Sequence, residues 1–521
     1  MKPSSGLDRV RKMMHPLAVL LIVGLAVRLV LMPFLSFNID LTYWMKAVNL
    51  IDGGMDLYSI DGYYYSPIWG YVLGAVDMLA HLLGMTDYGT LVPEMYPYMG
   101  RDYSISPYVT SISFNVLIKI PVVLTDIAVG WLLYSFVLKV TGDRGKAFLA
   151  CILWILCPLT IVESSMHAMF DNMSAMFTLM AFIAVYQRKY IIGGAVYGLA
   201  ILTKFFPLFF IFLMVAMVVR NEGFRMKAVA DIAKAIAAAL VAFLIVELPA
   251  IINGQFWRSL NFITERVGMH ASSLESYGTY VLIGLAVLAF LIAAAAHYFC
   301  RIRPDILREK FIDLPADERE HRVRRIMAVS AIAITVLVLL YAVYSVASSG
   351  KFDIVDLFGL ISKRAVLLLS LYTLILEGYV AYRLIFSPRE GIEPYLAAFM
   401  ISAALIFLWP PSPQYVVVIV PALALYAAVA SERMIKPVLI ACSLLALYDI
   451  ILTGPSILFS VAVYTDMIAL SSLMPMVDFI TSYVGSIPTV AFFMAVFGGA
   501  SYAALLYMIY RGISIHRREV Q

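Results

Sequence analysis

Phe37-Asn38-Ile39-Asp40-Leu41-Thr42-Tyr43-Trp44 is the stretch on which the reading of the chain turns. A hydrophobic run from about Met14 to Ser36 ends here, so Asp40 falls where a membrane helix would surface at the edge of the lipid. The residues after it predict an amphipathic helix starting near Leu41. Trp44, Ala47, Val48 and Ile51 share one face, with Lys46, Asn49 and Asp52 elsewhere. Such a helix lies in the membrane interface and does not cross it. Gly53-Gly54-Met55-Asp56-Leu57-Tyr58 and Tyr63-Tyr64-Tyr65-Ser66-Pro67 follow as an aromatic loop. A carboxylate in this setting is placed to take a proton from a substrate hydroxyl whose lipid tail stays in the bilayer. The plainer alternative is that Asp40 caps the following helix, a position that Asp favours.

Outward from this stretch, composition sets the class. The chain has 521 residues, of which 62% are hydrophobic and 14% charged, and its mean hydropathy is +0.90. Soluble domains carry roughly 25% charged residues, so this balance predicts an all-α polytopic membrane protein forming a single integral domain over 1–521. A net charge of +4 argues for no nucleic-acid partner. Cys151, Cys157, Cys300 and Cys442 lie in or beside apolar runs without C-x-x-C spacing, so neither a disulfide framework nor a zinc site is expected. The first run contains Arg28, is longer than a signal-peptide core and has no small-x-small cleavage site, and it is read as an uncleaved anchor.

Apolar runs predict about 12–14 transmembrane helices. The long segments between them are a first loop over 37–113 with interfacial helices, a loop over 253–276, a charged loop over 300–325 and an interfacial loop over 454–488. Ile191–Thr203 and Phe205–Val219 are each too short for a comfortable span, a pattern tolerated where helices line a protein cavity. Counting Lys and Arg with the N-terminus inside puts more than three inner residues to each outer one. Both termini and the 300–325 loop are then cytoplasmic, and the loops at 37–113, 253–276 and 454–488 face out. Treating the short pair as one span would reverse every later loop.

Four further groups carry chemistry. His167-Ala168-Met169-Phe170-Asp171-Asn172 sets polar side chains at a helix start, suited to a sugar or acceptor, or capping it through Asp171. Lys204, in Leu202-Thr203-Lys204-Phe205-Phe206-Pro207, is a lysine in an apolar setting, either facing a phosphate or snorkelling to the interface. Arg258, Arg266 and His270 in the next outer loop are candidate phosphate partners, or ordinary loop charges. Gln414 and Tyr415, after the Trp409-Pro410-Pro411-Ser412-Pro413 break, are candidate sugar contacts or parts of a structural turn. Tyr65 in the aromatic loop joins the sugar or acceptor set. Lys119 and Asp126, seven apart in one helix, are expected to be buried polar groups satisfied by neighbours.

In order, these pieces are a carboxylate after the first helix, G-x-D-L-Y at 54–58, Y-x-S-P at 64–67, H-A-M-F-D-N at 167–172, L-T-K-F-F-P-L at 202–208, and S-P-Q-Y-V at 412–416. The set resembles the GT-C-fold membrane glycosyltransferases, in particular the polyprenyl-phosphate-mannose-dependent mannosyltransferases and their prokaryotic relatives. It covers most of the first 275 residues and the segment near 409–421. The resemblance implies a GT-C-like fold with Asp40 as catalytic base, Phe170-Asp171-Asn172 as the family's F-D-N element, and Lys204 with Pro207 as its K-x-x-P element. Many relatives carry a second acidic residue beside the first, whereas here Leu41 follows, so no catalytic pair is assigned.

The implied activity is that of an inverting hexosyltransferase of glycan biosynthesis at the outer face of a prokaryotic plasma membrane. It would move mannose or another hexose from a polyprenyl phosphate to a glycolipid or surface-glycan acceptor. Lys204, Arg258, Arg266 and His270 would hold the donor phosphate. Tyr65, His167, Asp171, Asn172, Gln414 and Tyr415 would hold the sugar or acceptor. Partners are then the lipid donor, the acceptor and membrane lipids. With no D-x-D anywhere in the chain, no metal and no cofactor are expected. The rival expectation is a transporter or flippase of a lipid-linked or small polar substrate, to which short paired helices also belong.

Overall fold

Inside hydrocarbon every backbone N–H and C=O must be satisfied within the chain, and a helix does this locally. The computed structural model is accordingly almost wholly helical. It describes residues 6–260 other than 61, 64, 86 and 99–104, residues 287–348 other than 288, 289, 292, 293 and 296, residues 371–405 and 413–484, and positions 507 and 510. The N-terminal half comprises α1 (Gly6–Leu31), α2 (Asn38–Asp52), α3 (Pro67–Leu82), α4 (Ile112–Thr141), α5 (Arg144–Ile155), α6 (Pro158–Val162), α7 (Asp171–Tyr186), α8 (Tyr190–Thr203), α9 (Ile211–Glu222) and α10 (Met226–Ile252). Two short strands, β1 (Gly89–Leu91) and β2 (Tyr108–Thr110), pair antiparallel between α3 and α4.

Among the described residues, four helices are long and apolar enough to cross a membrane: α4, α10, Ala316–Tyr341 and Glu432–Ile451. The α5 and α6 segments, bent by 46° at their break, make a fifth if taken as one span. This is fewer than the 12–14 expected. Much of the difference lies in shorter apolar helices such as α7, α8 and Glu393–Leu405. At about 1.5 Å per residue the 14 residues of α8 cover roughly 21 Å, short of a hydrocarbon core of about 30 Å. The runs expected at 277–299, 364–386 and 489–510 fall wholly or partly outside the described residues. The charged segment expected as a loop over 300–325 is largely helical. It holds Pro304–Leu307, a π turn at Arg308–Ile312, and the first turns of the helix Ala316–Ser348.

The short pair is a hairpin. Glu222 at the end of α9 accepts from the Tyr190 hydroxyl at 2.7 Å and pairs with Arg188 at 3.7 Å, both at the start of α8. Asn221 also donates to the Val185 carbonyl. The two helices therefore run antiparallel and return the chain to the end it left. A G-x-x-x-G spacing at Gly194 and Gly198 lets α8 approach α10 so closely that an added Cβ would meet the backbone at Ala235 and Ala239.

Charged residues inside the bundle are met by partners. Arg28 donates to Asp126 at 2.6 Å, Ser164 at 3.1 Å, Thr160 at 3.1 Å and the Ile155 carbonyl at 2.9 Å, and both members of the ion pair are fully buried. Lys119 donates to the Met32 carbonyl at 2.8 Å and to that of Leu35. The α1 exit is thereby tied to α4, which holds the Phe37–Trp44 corner in place.

Above the bundle, α2 and α3 pack on the start of α4 through Trp44, Trp69, Phe114 and Phe170. Of the apolar face expected for α2, Trp44, Ala47 and Val48 are buried and Ile51 is partly so, while Lys46, Asn49 and Asp52 are exposed. Asp52 also receives the His81 ring at 2.8 Å, latching α2 to α3 and raising the histidine pKa above its ordinary value. The residues around β1 and β2 share a small core with Phe459, Leu473 and Val477, so the first loop and the 454–488 segment lie at the same end of the bundle. At the opposite end Arg220 caps the carbonyls of Leu384, Ser387 and Arg389, and Lys146 caps that of Val429.

Candidate functional site

Asp40 is not a helix cap. The helix begins at Asn38, three residues earlier than expected, with Phe37 at the cap position and no side-chain cap bond. Asp40 therefore sits in the first turn, where the helix dipole favours a negative charge but does not occupy the carboxylate oxygens. Its side chain is 22% exposed, and its Oδ2 lies 3.3 Å from His167 Nδ1.

His167 comes from a π turn, Glu163–His167, that follows α6 and ends in left-handed Ala168 at φ 52°. Such one-turn π bulges re-aim side chains and recur at functional sites. The Phe37 N–H donates to the Met166 carbonyl at 3.1 Å and the Phe37 ring packs on the His167 ring, so this turn and the α1–α2 corner are locked together. The second ring nitrogen, Nε2, lies 2.8 Å from Asp449 Oδ2, near the end of the helix Ile435–Thr453. His167 thus bridges two carboxylates contributed by distant parts of the chain. Glu163, fully buried one turn earlier, completes the group.

Lys204 forms a second centre. It stands at the C-cap of α8 and is 4% exposed. Its ammonium lies 3.3 Å from Asp171 Oδ2 and over the rings of Phe170 at 4.5 Å, Tyr415 at 5.1 Å and Tyr65 at 5.2 Å. Aromatic faces attract a cation, more so when it is desolvated. Ala168, Met169 and Phe170 connect the two centres, with His167 on one side of that turn and the Phe170–Asp171 step on the other.

The structure thus brings Asp40 and His167 together at one centre, and Lys204, Asp171, Tyr65 and Tyr415 at the other. Asp171 opens α7, in its first turn, after Phe170 at the cap position. Asn172 is fully buried and gives its amide to Asp126, which connects the site to the Arg28 ion pair. Gln414 is half-buried beside Tyr415. Arg258 is exposed on the short helix Phe256–Ser259, and among the described residues no hydrogen bond or ion pair joins it to either centre. Arg266 and His270 lie outside the described residues.

Asp449 and Glu163 were not among the residues singled out from sequence. Both are carboxylates within apolar helical runs, a signal that by itself marks a functional hypothesis. Nothing in Leu447-Tyr448-Asp449-Ile450-Ile451 tells what Asp449 faces.

An apolar cavity of about 270 Å³ lies between α8, α9 and α10, lined by Tyr197, Ile201, Leu202, Val215 and Phe243 among others. Leu202 places it two residues from Lys204. Compared with protein-family models and with curated proteins, the chain matches none.

Proposed function

We propose that the protein is an inverting glycosyltransferase. It moves mannose or another hexose from a polyprenyl-phosphate carrier to a glycolipid or surface-glycan acceptor at the outer face of the membrane. The observation that carries the reading is Asp40, a partly exposed carboxylate in the first turn of α2 whose Oδ2 faces His167 Nδ1. The resemblance to GT-C-fold mannosyltransferases assigns the base to the same residue.

The chemistry follows from these groups. Asp40 takes the proton of the acceptor hydroxyl as its oxygen attacks the anomeric carbon. The bond from that carbon to the phosphate oxygen breaks on the opposite face, and the polyprenyl phosphate leaves with the electron pair. His167 donates from Nδ1 to Asp40 and holds the carboxylate in one orientation. Lys204 is the cation for the leaving phosphate, pre-placed in its ring cage so that little reorganisation is needed as charge develops. The apolar cavity beside α8 offers the donor's lipid tail a place next to that lysine.

The test is sugar transfer by the purified full-length protein in detergent, with radiolabelled polyprenyl-phosphate hexose and a lipid acceptor. Product with inverted anomeric configuration is expected. A protein that binds the donor but makes no product in detergent, and moves it across vesicle membranes, is instead a transporter, the reading that the α8–α9 hairpin around a buried lysine would favour.

Two further outcomes are expected. Lys204→Met should cost about ten- to a hundredfold in transfer, the usual worth of a charged contact of about 1.5–3 kcal/mol. It also strands the buried Asp171, so the comparison belongs in an Asp171→Asn background, where stability recovers and transfer does not. Unchanged donor affinity and rate would remove Lys204 from the site. The orientation is read with single cysteines and a membrane-impermeant thiol reagent. In intact cells, positions in 37–113 should label and those in 301–325 should not, and the reverse pattern would invert the topology.

A further inference from the structure

The interior around His167 holds more negative charge than its visible partners offset. Glu163, Asp449 and His167 are 0%, 2% and 3% exposed. One ligand-capable atom from each lies within 4.8 Å of the others. Neither oxygen of Glu163 meets a hydrogen-bond donor among the described residues. Its polar neighbours are instead the Asp449 carboxylate and the His167 ring. Asp40 brings a third carboxylate to the other side of the same ring. The nearby cation Lys204 pairs with Asp171. A buried carboxylate without a donor is costly, and it persists where a cation or a proton takes its charge.

We infer that Glu163, His167 and Asp449 form a binding site for one divalent first-row metal ion, of the Zn2+ or Mn2+ kind. The donor set selects the class, because an imidazole with two carboxylates suits these ions better than Mg2+ or Ca2+, which prefer all-oxygen shells. Ligands that share an ion at about 2.0–2.2 Å stand roughly 3–3.5 Å apart when adjacent, the longer edge being the tetrahedral one. His167 Nε2 and Asp449 Oδ2 are 2.8 Å apart, and a Glu163 oxygen lies within 4.8 Å of both.

The other nitrogen of the ring strengthens the inference. A histidine that gives Nε2 to a metal carries its proton on Nδ1 and passes it to a carboxylate, which orients the ring and raises its basicity. Asp40 occupies that place, 3.3 Å from Nδ1. The ion would then set the tautomer of His167, and through it the direction of Asp40, without touching a substrate. The π turn has a role in the same picture. It presents Glu163 and His167, the first and last residues of a five-residue turn, to one point that the helix from Ile435 to Thr453 meets with Asp449. The inference stands apart from the sugar-transfer reading, since metal content and transfer are measured separately and either can fail alone.

The test uses the full-length protein in detergent. Elemental analysis of chelator-treated protein reloaded with Mn2+ or Zn2+ should find about one equivalent per chain. Binding should raise the unfolding midpoint by about 3–5 °C at saturating ion, and Mg2+ should not reproduce the rise. Glu163→Gln and Asp449→Asn should each weaken uptake at least about tenfold, since changing even the outer-shell partner of a ligand costs about 10–100-fold. Pulsed electron paramagnetic resonance of the wild-type Mn2+ form should show a coupled imidazole nitrogen, a result that needs no variant to fold. Three outcomes overturn the site. The first is wild-type protein that takes up neither ion, with Glu163→Gln at least as stable, which means that Glu163 and Asp449 share a proton. The second is uptake that survives both substitutions. The third is bound Mn2+ without nitrogen coupling whose binding Asp52→Asn abolishes, which puts the ion at the exposed Asp52, Asp77 and His81 group.

Discussion

Asp40→Asn is expected to yield a folded protein that binds donor and transfers sugar about 10²–10⁴-fold more slowly, the usual cost of losing a general base. Stability should change little. Asp40 makes no cap bond, so the helix loses only a first-turn charge, worth about 0.3–1 kcal/mol. Asn keeps the shape and can still meet His167 Nδ1–H with its carbonyl oxygen, while its amide cannot take a proton. Asp40→Glu moves the carboxylate by one methylene away from the His167 contact and should recover little, because the reacting hydroxyl must sit within hydrogen-bond reach. Thermal stability, donor binding and turnover measured on the same preparations decide the matter. Full turnover in a stable Asp40→Asn protein would mean that the base lies elsewhere. Asp171 and Asp52 are weak successors, since the first is buried against Lys204 and the second is bound to His81. Asp56, partly exposed in the aromatic loop after α2, would be the next residue to test.

Asp126→Ala should be the most damaging change to the fold. It removes the carboxylate that offsets Arg28 in the middle of the bundle and frees the Asn172 amide at the same time. Stranding one member of a buried ion pair costs about 3–5 kcal/mol, whereas replacing both with apolar residues of similar volume is often neutral. The single variant should therefore unfold at a clearly lower temperature in detergent, and the Arg28→Met/Asp126→Leu double variant should regain most of the loss. A single variant as stable as the wild type would show that Arg28 is satisfied by Ser164, Thr160 and the Ile155 carbonyl alone. Transfer by the double variant reports separately on Asn172, proposed to hold sugar or acceptor and joined in the structure to Asp126.

Local pattern was enough for several elements. The apolar run over 114–138 is α4, Trp44, Ala47 and Val48 of the apolar face expected for α2 are buried against protein with Ile51 partly so, and the short pair at 191–219 is two helices. These follow from the period of hydrophobicity and from the distance a helix covers per residue, both of which are properties of neighbours in the chain. Lys119 and Asp126 were legible as buried polar groups for the same reason, since a charge within an apolar helix must be met. The candidate residues Asp40, His167, Asp171 and Lys204 were legible as types in context, polar side chains at the ends of apolar runs.

What they do to one another was decided only by the tertiary structure. Asp449 lies 282 residues from His167, and no periodicity or spacing relates them. The π turn that aims Glu163 and His167 inward depends on the break after α5, and its effect on side-chain direction has no counterpart in the apolar pattern. The caging of Lys204 by Tyr65, Phe170 and Tyr415 needs three segments to arrive at one helix end. Sequence alone thus determines which segments form apolar helices and which charges within them must find partners. The pairing itself is set by packing, because the cost of an unmet charge in the interior falls on whichever distant residues the fold can bring within a few ångströms.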